Sequence, residues 1–186
     1  KIRRTLEETS RGDFRQAVDS IVNAKQIYIF AVRSSSALAN FLAYYFELIF
    51  GNVRVVSTTS KVQIYEELFH INKDDVMIGI SFPRYSSTAV DAMKFARDRN
   101  ADVIALTDSM ISPLVEPANY VLLARSDMAS IVDSLVAPLS LINALIVATV
   151  LAKKDDVVKT FMELEAVWDE YGVYKRTQEQ DEKEQL

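Results

Sequence analysis

The sequence predicts an α/β protein: a three-layer αβα sandwich around a five-stranded parallel sheet, in the order 2-1-3-4-5 of the flavodoxin-like arrangement. Two observations carry this. Five short runs, rich in β-branched and aromatic residues, are apolar almost without alternation, as strands covered on both faces are. Their starts lie 26, 23, 27 and 17 residues apart, room for a crossover each time. Right-handed crossovers favour the order given.

The elements follow in order. Phe14, Ala17, Val18, Ile21 and Val22 mark an opening helix, and Ile27–Val32 is the first strand. Leu38, Phe41, Leu42, Tyr45 and Ile49 recur at helical spacing as one apolar stripe before the second strand, Val53–Val56. The third strand is Val76–Ile80, followed by a weaker stripe of Ala89, Val90, Met93 and Ala96. Val103–Leu106 and Tyr120–Leu123 are the last two strands. Ile131–Ala152 is apolar enough to suggest a membrane span, but Asp133, Ser134, Pro138, Ser140 and Asn143 are costly in hydrocarbon. The expectation is a helix buried in a core or a dimer interface, with no membrane partner. Val157, Phe161, Leu164 and Trp168 mark a closing helix, with Asp155 and Asp156 at its N-terminus.

Composition narrows the functions. The chain has 186 residues, 49% hydrophobic, with four glycines and four prolines, so it is neither linker-rich nor low-complexity. One domain is expected over residues 1–174, with 175–186 a polar tail. The net charge of −5 makes its own surface a poor match for nucleic acid. There is no cysteine, which removes thiol chemistry and fits a reducing, cytoplasmic setting. A single histidine excludes a multi-histidine metal site, and no metal is expected. Gly12, Gly51, Gly79 and Gly172 are the only glycines, too few for a dinucleotide or P-loop turn. No cofactor is expected.

In the predicted order the first and third strands are neighbours, and ligands favour the crevice beyond their carboxyl ends. The loops there are unusual. Arg33-Ser34-Ser35-Ser36 leaves the first strand, and Ser81-Phe82-Pro83-Arg84-Tyr85-Ser86-Ser87-Thr88 leaves the third. Each brings hydroxyls and one arginine to a helix N-terminus, where unpaired N–H groups and the helix dipole favour an anion. Serine at a helix start is also an ordinary cap. The coincidence of two such loops side by side points to a phosphate cradle of Arg33, Ser34, Ser35, Ser81, Arg84, Ser86, Ser87 and Thr88.

The sequence also resembles the SIS (sugar isomerase) domain, and within it the effector domain of RpiR/MurR-type transcriptional regulators. The stretches that carry this are Ile27–Phe30 into Ser34-Ser35, Ile80–Ser86, Val103–Asp108 with Ser112-Pro113-Leu114, and Asp133–Leu139. The resemblance implies a phosphosugar ligand, a homodimer that could pair further into a tetramer, and a helix-turn-helix domain preceding Lys1. DNA would be met only through that domain. The family's first loop reads Gly-x-Gly-x-Ser, where this chain has Ala31, Arg33 and Ser35. Its second reads Ser-x-Ser-Gly-x-Thr, where this chain has Ser81, Pro83, Arg84 and Ser86. The serines Ser35, Ser81 and Ser86 carry over, and both arginines fall where glycines would be. Ser130 resembles a further ligand-facing position, with Asp133 and Ser134 weaker ones.

The alternative function is a sugar-phosphate aldose–ketose isomerase. It needs a base to move a proton between adjacent carbons. Glu66, Glu67 and His70 are the weak catalytic candidates, with spacing that would put them on one helical face. Such a trio on a surface helix is more commonly solvated, and the stretch Ala124–Ala129 lacks the glutamate that the family's amino-sugar isomerases place there. The expected role is therefore sensing rather than catalysis. A third reading, a dimerisation module with an empty pocket, would leave both arginines in solvent.

Overall fold

The computed structural model describes residues 10–125 and 134–174. The chain divides into two compact units, the first ending at Ala152 and the second beginning at Lys153. The first unit runs α1 (Arg11–Asn23), β1 (Ile27–Ala31), a 3-10 turn (Arg33–Ser35), α2 (Ser36–Phe50), β2 (Val53–Val56), α3 (Lys61–Glu67), β3 (Val76–Ile80), α4 (Ser87–Asp98), β4 (Asp102–Thr107), β5 (Tyr120–Leu123) and α5 (Val136–Ala152). The second unit contains α6 (Lys154–Glu170). All strand pairs are parallel in the order β2-β1-β3-β4-β5, as the apolar runs predict.

Side chains alternate across each strand, so two cores form. Ile27, Ile29 and Ala31 of β1 join Ile78 and Ile104 beneath α1, α2 and α5. Tyr28, Phe30 and Val32 point the other way, with Met77 and Val103, beneath α3 and α4. Every residue of β1 and β3 is buried, which is why those runs read as continuous rather than alternating.

Polar side chains finish the edges. Ser10 caps α1 by accepting from the Asp13 N–H at 3.2 Å. Asp13 then accepts from the Val121 N–H of edge strand β5 at 3.0 Å, pinning the helix to the sheet. Asn119 accepts from the Val103 N–H at 2.9 Å, and Asn52 donates to the carbonyls of Ala24 and Lys25. Helix α5 is apolar all round, with Leu141, Ile142 and Leu145 buried and Val136, Val147 and Leu151 exposed. No single helix among the described residues is long and apolar enough to cross a membrane.

Two local expectations change. The first strand ends at Ala31, because the chain turns into the 3-10 segment at Arg33. Helix α3 ends at Glu67, so Glu66, Glu67 and His70 do not share one helical face. Leu68 and Ile71 are buried, and between them the chain passes from the helix into a turn that carries His70. Residues 175–186 lie outside those described.

Candidate functional site

β1 and β3 pair in register from Ile27↔Val76 to Ala31↔Ile80, so their loops leave the sheet side by side. A cleft of about 50 Å³ lies between them. Arg33, Ser34 and Ser35 wall it from the first loop, and Ser81, Pro83, Arg84 and Ser86 from the second. Its lining contains two arginines and no carboxylate, an arrangement that suits an anion. The space is far smaller than the roughly 300–1,000 Å³ of pockets that enclose a whole drug-sized ligand. A phosphate-sized group is what it can enclose.

The hydroxyls there are in different states. Ser81 is buried at the base of the second loop, where its Oγ accepts from the Ser86 N–H at 3.1 Å. Ser86 is the N-cap of α4, accepting from the Ala89 N–H at 3.3 Å and lying 2.6 Å from Thr88 Oγ1. One lone pair thus serves the helix while a hydroxyl proton of the Ser86–Thr88 pair remains available to an anion. Ser36 donates to the Ala31 carbonyl at 3.3 Å. Ser35 differs from all of these. It is only 7% exposed, lines the cleft, and makes no side-chain capping bond at the start of α2. Its hydroxyl is therefore free to meet a group in the cleft, with no bond inside the protein to break first.

Both arginines are exposed, at the rim, and both have left-handed backbone: φ is +58° at Arg33 and +69° at Arg84. For a residue with a Cβ that conformation costs roughly 1–2 kcal/mol. Beside the cleft, Tyr85, Ser86, Ser87, Val90, Asp91 and Pro113 line a second depression of about 280 Å³. The Tyr85 hydroxyl donates to Asp108 Oδ1 at 2.7 Å. Burial, and then that bond to a carboxylate, push its pKa up, so it stays a neutral donor.

The cleft therefore gathers Arg33, Ser34, Ser35, Ser81, Arg84 and Ser86. Ser87 lines the second depression, and Thr88 reaches the cleft only through Ser86. Ser134 is half-buried, while Ser130 and Asp133 lie outside the described residues. Glu66 and His70 line a shallow apolar depression with Val62, Tyr65 and Phe69, and Glu67 is not part of it. Since α3 returns the chain from β2 to the start of β3, the His70 turn lies at the amino edge of the sheet, opposite the cleft. Arg99, just before β4, donates to the Phe69 carbonyl at that edge. Sequence reasoning missed Tyr85, whose bond to Asp108 depends on two loops meeting. For Ser86→Ala the lost cap costs about 1 kcal/mol of stability, measurable by urea denaturation.

Fold and cleft together define a class: a doubly wound α/β domain with a cleft of hydroxyls and arginines at its topological switch point. The chain belongs to the SIS domain family, whose model matches residues 20–148. An uncharacterized HTH-type transcriptional regulator of Caldanaerobacter subterraneus subsp. tengcongensis is 26% identical over 162 residues, 83% of this chain and 56% of that protein. The chain spans about half the length of the curated relatives it matches. The sugar isomerase domain of an RpiR transcription factor from Sphaerobacter thermophilus superposes with TM-score 0.83 at 25% identity, covering 89% of this chain and 92% of that one. The Vibrio vulnificus NanR protein complexed with ManNAc-6P superposes with TM-score 0.76 at 17% identity, covering 91% of this chain and 65% of the other.

Proposed function

We propose that this domain is the phosphosugar-binding effector domain of a bacterial RpiR-type transcriptional regulator, acting in the cytoplasm. A sugar phosphate or amino-sugar phosphate binds with its phosphate in the cleft, held by Ser35, Ser81, Ser86 and the rim arginines. Occupancy is passed to an N-terminal helix-turn-helix domain elsewhere in the whole protein. The observation that carries this reading is Ser35, its hydroxyl without a side-chain capping bond and facing a small cleft lined by two arginines and no carboxylate. The regulator relatives and the ManNAc-6P complex of NanR support it.

Coupling to DNA can be no larger than the ligand's differential affinity for two states of the protein, typically 1–3 kcal/mol. A homodimer supplies a means of transmission, and the exposed Val136, Val147 and Leu151 of α5 are its candidate contact. The decisive experiment is calorimetric titration with a panel of sugar phosphates that includes N-acetylmannosamine 6-phosphate. At least one is expected to bind far better than inorganic phosphate or the unphosphorylated sugar. Equal binding of all three would overturn the reading.

The isomerase alternative relies on groups at the opposite edge of the sheet from the cleft. Glu66→Ala and His70→Ala are therefore expected to leave sugar phosphate affinity within about twofold, with no aldose–ketose turnover in the parent or in either variant. Turnover abolished by one of these changes would favour the enzyme.

A further inference from the structure

Arg33 and Arg84 both hold left-handed backbone, with φ of +58° and +69°. Two residues with Cβ atoms thus hold a conformation that glycine adopts freely. Packing does not explain arginine at either position, since both side chains are exposed, as the empty-pocket reading also expects. Nor does internal pairing, since neither guanidinium has a hydrogen-bond or ion-pair partner among the described residues. The two like charges face one small cleft with no carboxylate in its lining, in a chain whose net charge is −5. Ser35, only 7% exposed and without a side-chain capping bond, offers the same cleft its hydroxyl, an observation independent of the arginines.

Resting on the phosphosugar reading, we infer that Arg33 and Arg84 are charge-selecting residues that trade folding stability for affinity towards a phosphate dianion. Here two guanidinium groups add charge-assisted donors at the rim, and the backbone bears the cost in the empty state. The two effects have opposite signs at the same residues. An exposed arginine that meets no anion would show the backbone effect alone.

The test uses Arg33→Gly, Arg84→Gly, and the matching Gln variants, which keep the strained backbone but remove the charge. Urea denaturation is done in phosphate-free buffer, and binding is read from the thermal shift given by potassium phosphate against chloride at matched ionic strength. Each glycine variant is expected to hold or raise the folded-to-unfolded ratio, by up to about tenfold once glycine's extra unfolded-state freedom is subtracted. Each is also expected to need about tenfold more phosphate for the same shift. The Gln variants should match the parent in urea or fall slightly below it, with the same loss of phosphate response. Undiminished phosphate response in the glycine and Gln variants would overturn the inference while leaving the site intact. So would glycine variants that unfold at clearly lower urea. A parent that responds neither to phosphate nor to any sugar phosphate of the panel would overturn both readings.

Discussion

Ser35→Asp is expected to abolish sugar phosphate binding, by at least about 100-fold, while the domain stays folded. The side chain is 7% exposed and lines a cleft of about 50 Å³, so a carboxylate there occupies the anion's place. It removes one charge-assisted hydrogen bond, worth about 1.5–3 kcal/mol. It also sets like charges within about 4 Å, a repulsion of about 1–4 kcal/mol between water-like and near-surface dielectrics. Folding suffers less, because the residue begins α2 and an acid there is favoured by the helix dipole by about 0.3–1 kcal/mol, against the cost of burial. Ser35→Ala adds no charge and should lose only about tenfold. Titration with the best sugar phosphate, beside a thermal melt followed by circular dichroism, separates the effects. Parental affinity in Ser35→Asp would remove the phosphate from this cleft.

Gly79→Val is expected to cost about 1–3 kcal/mol of stability and to weaken sugar phosphate binding as well. Gly79 sits mid-strand in β3, and a Cβ built there overlaps the Sδ of Met93 on α4. Met93 is fully buried, so its side chain can shift only within the packed core, and the added volume presses α4 away from the sheet. Lifting α4 moves its N-cap, Ser86, and with it one wall of the cleft. Urea denaturation measures the first effect and titration the second. Adding Met93→Ala should restore room and recover part of the stability, a coupling expected of touching residues. No recovery in the double variant would show that the Gly79–Met93 contact does not set the height of α4.

Much of the fold is legible along the chain because its causes are local. The runs Ile27–Ala31 and Val76–Ile80 are continuous because both faces of the central strands are covered, and burial of that kind leaves a direct trace in sequence. The α2 stripe is read in part: Leu38 and Leu42 face the core as expected, but Tyr45 is exposed and Phe46 takes the buried position beside it. Convergence of the two hydroxyl-and-arginine loops also follows, since strand order makes β1 and β3 neighbours. The His70 expectation fails for the opposite reason. Periodicity placed it on a helical face, but α3 ends at Glu67 and His70 lies in the turn that follows, although Glu66 and His70 still line one depression.

By itself, then, the sequence determined the layers, the strand order, the family resemblance and which loops carry the hydroxyls and arginines. Only the tertiary structure decided that Ser35 lacks a partner while Ser81 and Ser86 hold the second loop together. It alone decided that Arg33 and Arg84 take a left-handed backbone, and that the cleft is phosphate-sized. Apolar periodicity is written in successive residues. The torsions and hydrogen bonds of a loop are set by atoms that only the folded chain brings near, and residue order alone does not encode those distances.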